Sequence, residues 1–296
     1  KWVDFSVPDE ALRQALRLDV DSFTSDCHLN WIELLAYLAA RYGGDFSRFR
    51  TTDMDTLAER IKGGESMQTL TENMKYYAYY LEAYTAVLGG MVGTYEIQEP
   101  AENGSLSWVA KYGLKAFSPI AKHFPYQDYD DFGVSRSYGF KRQHLGHDMM
   151  VQVGTPVIAV ESGYVEAIGW NQYGGWRLGI RSFDKKRYYY YAHLRKNHPY
   201  CDAYEGKIVN AGEVIGYLGM TGYSSKENTN NINVPHLHYG LQIIFHPSQK
   251  DGVNQIWVDM YALTDFLGKN RATCRKRSSD GEKISTVYYE YPETPD

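Results

Sequence analysis

Three cysteines in 296 residues leave no disulfide framework to read. Cys27, Cys201 and Cys274 stand far apart, in no CxxC pattern, and read as unpaired thiols that leave the compartment undecided. Long apolar runs are also missing. No stretch approaches the ~20 residues needed to span a bilayer as a helix. Positive charge is not in excess, because 31 Lys and Arg face 36 Asp and Glu, for a net charge of −5. Without a basic surplus there is nothing to neutralise a phosphate backbone, so no nucleic-acid partner is expected. No signal peptide is visible at Lys1, although the numbering can begin inside a longer product. No repeat of 20–50 residues stands out. What the chain has in abundance is tyrosine, 27 residues. Its amphipathic ring makes good contact surface for an extended polar ligand such as a peptide or glycan.

At roughly 150 residues per domain, this length predicts two domains. Residues 1–94 read as helical. Ala11, Leu12, Ala15 and Leu16 recur at helical spacing after Pro8. Asn30 caps a second helix, Trp31 to Tyr42, which stops at Gly43-Gly44. A third runs from Asp53 to Lys62, and a fourth from about Ser66 to Leu88 with a broad aromatic face. Over 95–137 the periodicity fades among Pro100, Gly104, Gly113, Pro119 and Pro125, giving a linker or irregular approach. Residues 138–268 then change to short β-rich runs: Thr155–Val160, Gly163–Trp170, Trp176–Phe183, Arg187–Leu194, Val214–Met220 and His236–Phe245. Residues 269–296 read as a charged surface tail. The expected fold class is α+β and multidomain, an all-α helical domain followed by an antiparallel β-sheet domain.

The chemistry gathers in the β region. His144 and Asp148 are four residues apart, which puts an imidazole and a carboxylate on one face of a strand or a helix. Gly146 between them permits close backbone approach. His236 and His238 alternate on a strand and share its face, with Leu237 packed behind. His193 lies in the Tyr-rich run Tyr190-Tyr191-Ala192-His193-Leu194. His147 is odd-spaced from His144 and reads as a supporting residue. A catalytic zinc takes three protein ligands and leaves a position for water. Two His clusters and an Asp supply more than that number, so a metal centre with a spare His beside it is expected.

His144-x-Gly146-x-Asp148, then Gly154-Thr155-Pro156-Val157, Tyr191-x-His193-Leu194, Gly216-x-x-Gly219-x-Thr221-Gly222 and His236-Leu237-His238, resemble in order and spacing the lysostaphin-type zinc metalloendopeptidases. The likeness spans about residues 138–245. It implies a β-sheet groove with Zn2+ on its floor that cuts peptides of bacterial peptidoglycan. It implies His144, Asp148 and His238 as zinc ligands and His193 and His236 as catalytic histidines. Stem or cross-bridge peptides are the implied partners. The implied location is extracellular or in the bacterial cell envelope, with any membrane anchor outside the numbered residues. The alternative is a silent scaffold of the same fold that binds wall peptides or a partner. The helix around 34–45 faintly resembles one in lysozyme-like folds, but Arg41 stands where the catalytic Glu would be. A cation cannot serve as the acid for glycoside cleavage, so a spacer or wall-positioning role is expected there.

Overall fold

The computed structural model describes residues 1–138 and 140–292. Its helices are α1 (Asp9–Ser22), α2 (Trp31–Tyr42), α3 (Thr51–Lys62), α4 (Met67–Thr71), α5 (Tyr77–Leu88) and α6 (Tyr261–Leu267). The strands, in chain order, are β1 (Trp2–Asp4), β2 (Val92–Pro100), β3 (Leu106–Leu114), β4 (Gln127–Asp128), β5 (Ser135–Tyr138), β6 (Phe140–Gln143), β7 (His147–Met150), β8 (Pro156–Ile158) and β9 (Gly163–Asn171). They continue as β10 (Gly175–Ser182), β11 (Arg187–Leu194), β12 (Ile208–Val209), β13 (Val214–Tyr217), β14 (His236–Ile243), β15 (Ile256–Asp259), β16 (Cys274–Lys276), β17 (Lys283–Ser285) and β18 (Tyr289–Glu290).

The helices start and stop where local chemistry says. The Asn30 side chain accepts from the amides of Ile32 and Glu33, and Gly43 ends α2 at φ 65°. The run expected as one helix from Ser66 to Leu88 is two, α4 and α5. The Thr71 hydroxyl turns back to the Met67 carbonyl, and Asn73 follows with poor helix propensity.

The main sheet runs β1-β15-β14-β11-β10-β9-β12. Only β1 with β15 is a parallel pair; the others along this path are antiparallel. One edge of β14 is shared: β7 pairs with its His236–Tyr239 half and β15 with Gln242 and Ile243. That division leaves the N-terminal half of β14 beside β7, where the site forms.

The helices do not stand apart from the sheet. Leu12, Leu34, Leu38 and Leu88 share one apolar core with Met149, Tyr189, Tyr191 and Leu241. Buried Arg187 crosses this junction, donating to Glu161 at 2.8 and 3.0 Å and to the Ala86 carbonyl of α5 at 3.1 Å.

Two expectations differ from the observed chain. The irregular approach at 95–137 holds most of a long hairpin, β2 with β3. Residues 269–292 return to the body rather than lying loose: β18 pairs with β2, and Tyr291 is buried with its hydroxyl donating to the Ala211 carbonyl. Phe117, Tyr95, Tyr289 and Tyr291 form an aromatic cluster there.

Candidate active site

Strand register brings the first two site residues together. On β7 and β14, Asp148 stands directly opposite His238, and Leu237 is opposite Met149. Leu237 and Met149 are fully buried, so Asp148 and His238 take the other face. His144 precedes β7 and is held by its backbone, which pairs with Gly133 and Val134. The chain between them must pass close to the ring of His238. A Cβ on Gly146 would lie 2.5 Å from His238 Cε1 and 2.9 Å from the Tyr239 carbonyl oxygen.

The three functional atoms meet at one point. His144 Nε2, Asp148 Oδ1 and His238 Nδ1 form a triangle with sides of 3.0, 3.0 and 2.9 Å. The His144 Nδ1–H donates to the Asp131 carbonyl at 3.0 Å, which leaves Nε2 of the neutral ring as an acceptor. Asp131 is itself fully buried and accepts from Arg136 at 2.8 Å. At hydrogen-bond distance from one another, these three atoms can share a proton or hold a cation between them,. Burial lowers the His144 pKa, but hydrogen bonds to Asp131 and Asp148 and their charges outweigh it and raise it to about 9. Burial alone would raise the Asp148 carboxyl, yet His144 and His238 hold it far below the usual range. Burial lowers His238, against the pull of Asp148. Two imidazoles and a carboxylate able to hold a metal ion are thus in place,.

His193 reaches this site through a bulge. Trp176 pairs with Leu194 and Leu178 with Tyr191, so β11 fits one extra residue into that step. His193 takes it up at φ 63°. Tyr189 and Tyr191 point into the core while Tyr188, Tyr190 and Ala192 line the groove. Strict alternation would bury His193 with the first set; the bulge turns it to the groove instead. Its Nδ1–H donates to the Thr221 carbonyl at 2.8 Å, and burial plus the neighbouring His236 and His238 lower its pKa to about 3. His236 donates likewise from Nδ1 to the Val234 carbonyl at 2.8 Å. The rings of His193 and His236 are 4.8 Å apart, and His236 Nε2 is 3.8 Å from Asp148 Oδ2. All five residues singled out in the sequence line one groove of about 490 Å³.

His147 faces the opposite way, bonded to Asp128 at 2.8 Å and edge-on to Tyr261, as its odd spacing predicts. Asp131, Arg136, Arg142, Tyr190 and Tyr223 were not legible as site residues. Asp131 lies 13 positions before its partner His144, with no local motif to mark it. Tyr173 and Gly174, between β9 and β10, also line the groove. Asn228 ties the start of β10 to the segment after β11, accepting from Trp176 Nε1 at 2.9 Å and from the Asn197 amide at 2.8 Å. Arg41, by contrast, pairs with Asp53 at 3.7 Å, and the lysozyme-like resemblance gains no support.

Comparison with known proteins agrees with this geometry. Residues 142–254 match the family model described as Peptidase family M23. The L-Ala–D-Glu endopeptidase of Bacillus subtilis is 39% identical over 123 residues, 42% of this chain and 36% of that protein. Lysostaphin of Staphylococcus simulans is 37% identical over 97 residues, 32% of this chain and 17% of that protein. The chain therefore spans about a third or less of the length of these curated relatives. A crystal structure of a putative glycyl-glycine endopeptidase from Ruminococcus gnavus is 22% identical, with a TM-score of 0.53. It covers 91% of this chain and 94% of its own, and so shares the fold, helices included. The β-rich segment 142–254 is thus similar to peptidase family M23, including relatives of the lysostaphin type that its motifs resemble.

Proposed function

We propose that the protein is a zinc-dependent endopeptidase that hydrolyses peptide bonds of bacterial peptidoglycan. The observation that carries this reading is the convergence of His144, Asp148 and His238 on one point, beside His193 and His236, in an open groove. The family match and the peptidoglycan endopeptidases among the relatives support it. The site of action is the cell envelope or outside it. Among the described residues no helix is long and apolar enough to cross a membrane.

His144, Asp148 and His238 would hold the zinc. Bound there, it supplies a Lewis acid that polarises the scissile carbonyl and acidifies the attacking water. The other residues act around that centre. Because both Nδ1–H groups are committed to backbone carbonyls, His193 and His236 each present an unprotonated Nε2 when neutral. One takes the proton of the water and passes it to the leaving amine. The other, once protonated, donates to the oxyanion of the tetrahedral intermediate. Asp131 fixes the ring of His144, and Arg136 braces Asp131 and Asp148. The Tyr-lined walls hold an extended peptide by ring faces and hydroxyls.

The test is zinc content together with cleavage of purified peptidoglycan. About one zinc per chain, and cleavage lost on chelation and restored by zinc, support the reading. A scaffold of the same fold would bind wall peptide and zinc but release no new amino termini.

A further inference from the structure

The groove wall carries a cation that pairs with no carboxylate among the described residues. Hairpin β5–β6 sets Arg136 directly opposite Arg142, and both line the groove. Like charges facing each other across an antiparallel pair are unfavourable. Arg136 is relieved by Asp131 at 2.8 Å and Asp148 at 3.5 Å. Arg142 forms no ion pair with a carboxylate among the described residues. Its guanidinium lies instead 5.4 Å from the ring centre of Tyr173 and 5.0 Å from that of Tyr223, and it donates to the Tyr223 hydroxyl. Ring faces hold a planar cation in place without cancelling its charge.

The clamp is built into the backbone. The Tyr223 amide donates to the Tyr173 carbonyl at 3.2 Å, and Asn231 Nδ2 donates to the Tyr223 carbonyl at 2.7 Å. Tyr223 also stands 5.9 Å from the ring of His193, so the clamp adjoins the proposed reacting centre. The other groove cation, Lys250, is placed differently. It lies over Tyr188 and 3.7 Å from Asp251, which offsets it. The chain as a whole is anionic, at −5, so attraction of an acidic ligand has to be local.

We propose that Arg142, clamped by Tyr173 and Tyr223, binds a free carboxylate of the peptide within about two residues of the scissile bond, the reach set by extended-chain spacing. The protein then prefers acidic wall peptides to uncharged bridges. This rests on the endopeptidase reading and specifies its substrate class. The carboxylate can come from an acidic residue within the peptide or from its C-terminus.

Three synthetic wall peptides with one scissile bond separate these sources: both carboxylates free, the internal one amidated, and the terminal one amidated. For the zinc-loaded wild-type protein, one of the two amidations should lower kcat/KM about tenfold or more, the scale of a charge-assisted contact. In Arg142→Met that ratio should fall to near one, and Arg142→Lys should keep part of it. Zinc content confirms that each variant retains its site. Equal cleavage of all three peptides by the wild type overturns the proposal, as does an undiminished preference in Arg142→Met, or a preference abolished by Lys250→Met instead. If none of the peptides is cut by the zinc-loaded protein, the endopeptidase reading fails and the proposal falls with it.

Discussion

Replacing Gly146 by alanine is a one-carbon perturbation aimed at the metal centre. The added Cβ would lie 2.5 Å from His238 Cε1 and 2.6 Å from Nε2, against 3.4 Å for ordinary contact, so the ring must retreat by about 0.9 Å. The Cβ cannot swing aside, because the Tyr239 carbonyl oxygen stands 2.9 Å away. Metal–ligand distances tolerate only about 0.2 Å, and loss of ligand orientation typically costs about 10–100-fold in metal affinity. Gly146→Ala should therefore weaken zinc binding by at least that range, about 1.4–2.7 kcal/mol. Competition with a chromogenic chelator measures it directly, with circular dichroism to confirm that the protein is folded. Wild-type zinc affinity in a folded Gly146→Ala protein would refute the reasoning, because it would mean that His238 does not need its observed position to hold the metal.

Three further outcomes follow from the same geometry. His193→Ala and His236→Ala should keep zinc but lose about 10²-fold or more in turnover, the scale of a lost acid–base or oxyanion group; wild-type rates in both would remove them from the reaction. With its pKa raised to about 9, His144 carries a proton in the metal-free protein at pH 7, and zinc must displace it. Apparent zinc affinity should rise about tenfold per pH unit up to about pH 9, and calorimetry in buffers of different ionisation heat should count about one proton released per zinc at pH 7. Zinc uptake with no proton release contradicts that assignment. Arg187→Met leaves Glu161 charged and buried, so urea unfolding should show a loss of about 3–5 kcal/mol; an unchanged midpoint would mean that the ion pair at the helix–sheet junction is dispensable.

The site was legible in sequence wherever one strand or one short motif delivers it. His236 and His238 follow from alternation, and Asp148 from its spacing to His144. What lay beyond reach depended on pairing between distant segments. Nothing local tells that Asp131 buttresses His144, and alternation alone would have buried His193. Only the register shift between β10 and β11 turns it around. The hairpin β2–β3 was hidden differently. Its strands alternate, with Tyr95 and Ile97 against Glu96 and Gln98, but the flanking Gly and Pro equally suit a linker,. Tyr289 and Tyr291 look like tail residues until β18 pairs with β2. The division into helical and β parts is visible in composition, yet Leu34 and Tyr189 share one core, a packing relation that periodicity does not record.

The central claim is that this groove cuts peptide bonds of the bacterial wall through a zinc held by His144, Asp148 and His238. The most direct measurement digests purified peptidoglycan with zinc-loaded protein and identifies the products by mass spectrometry, scoring new amino termini and new reducing sugars separately. The proposed activity should give new amino termini at one type of peptide bond, no new reducing ends, and neither product from Asp148→Ala. Intact peptidoglycan after digestion by fully zinc-loaded protein, or the same amino termini released by Asp148→Ala, would contradict it.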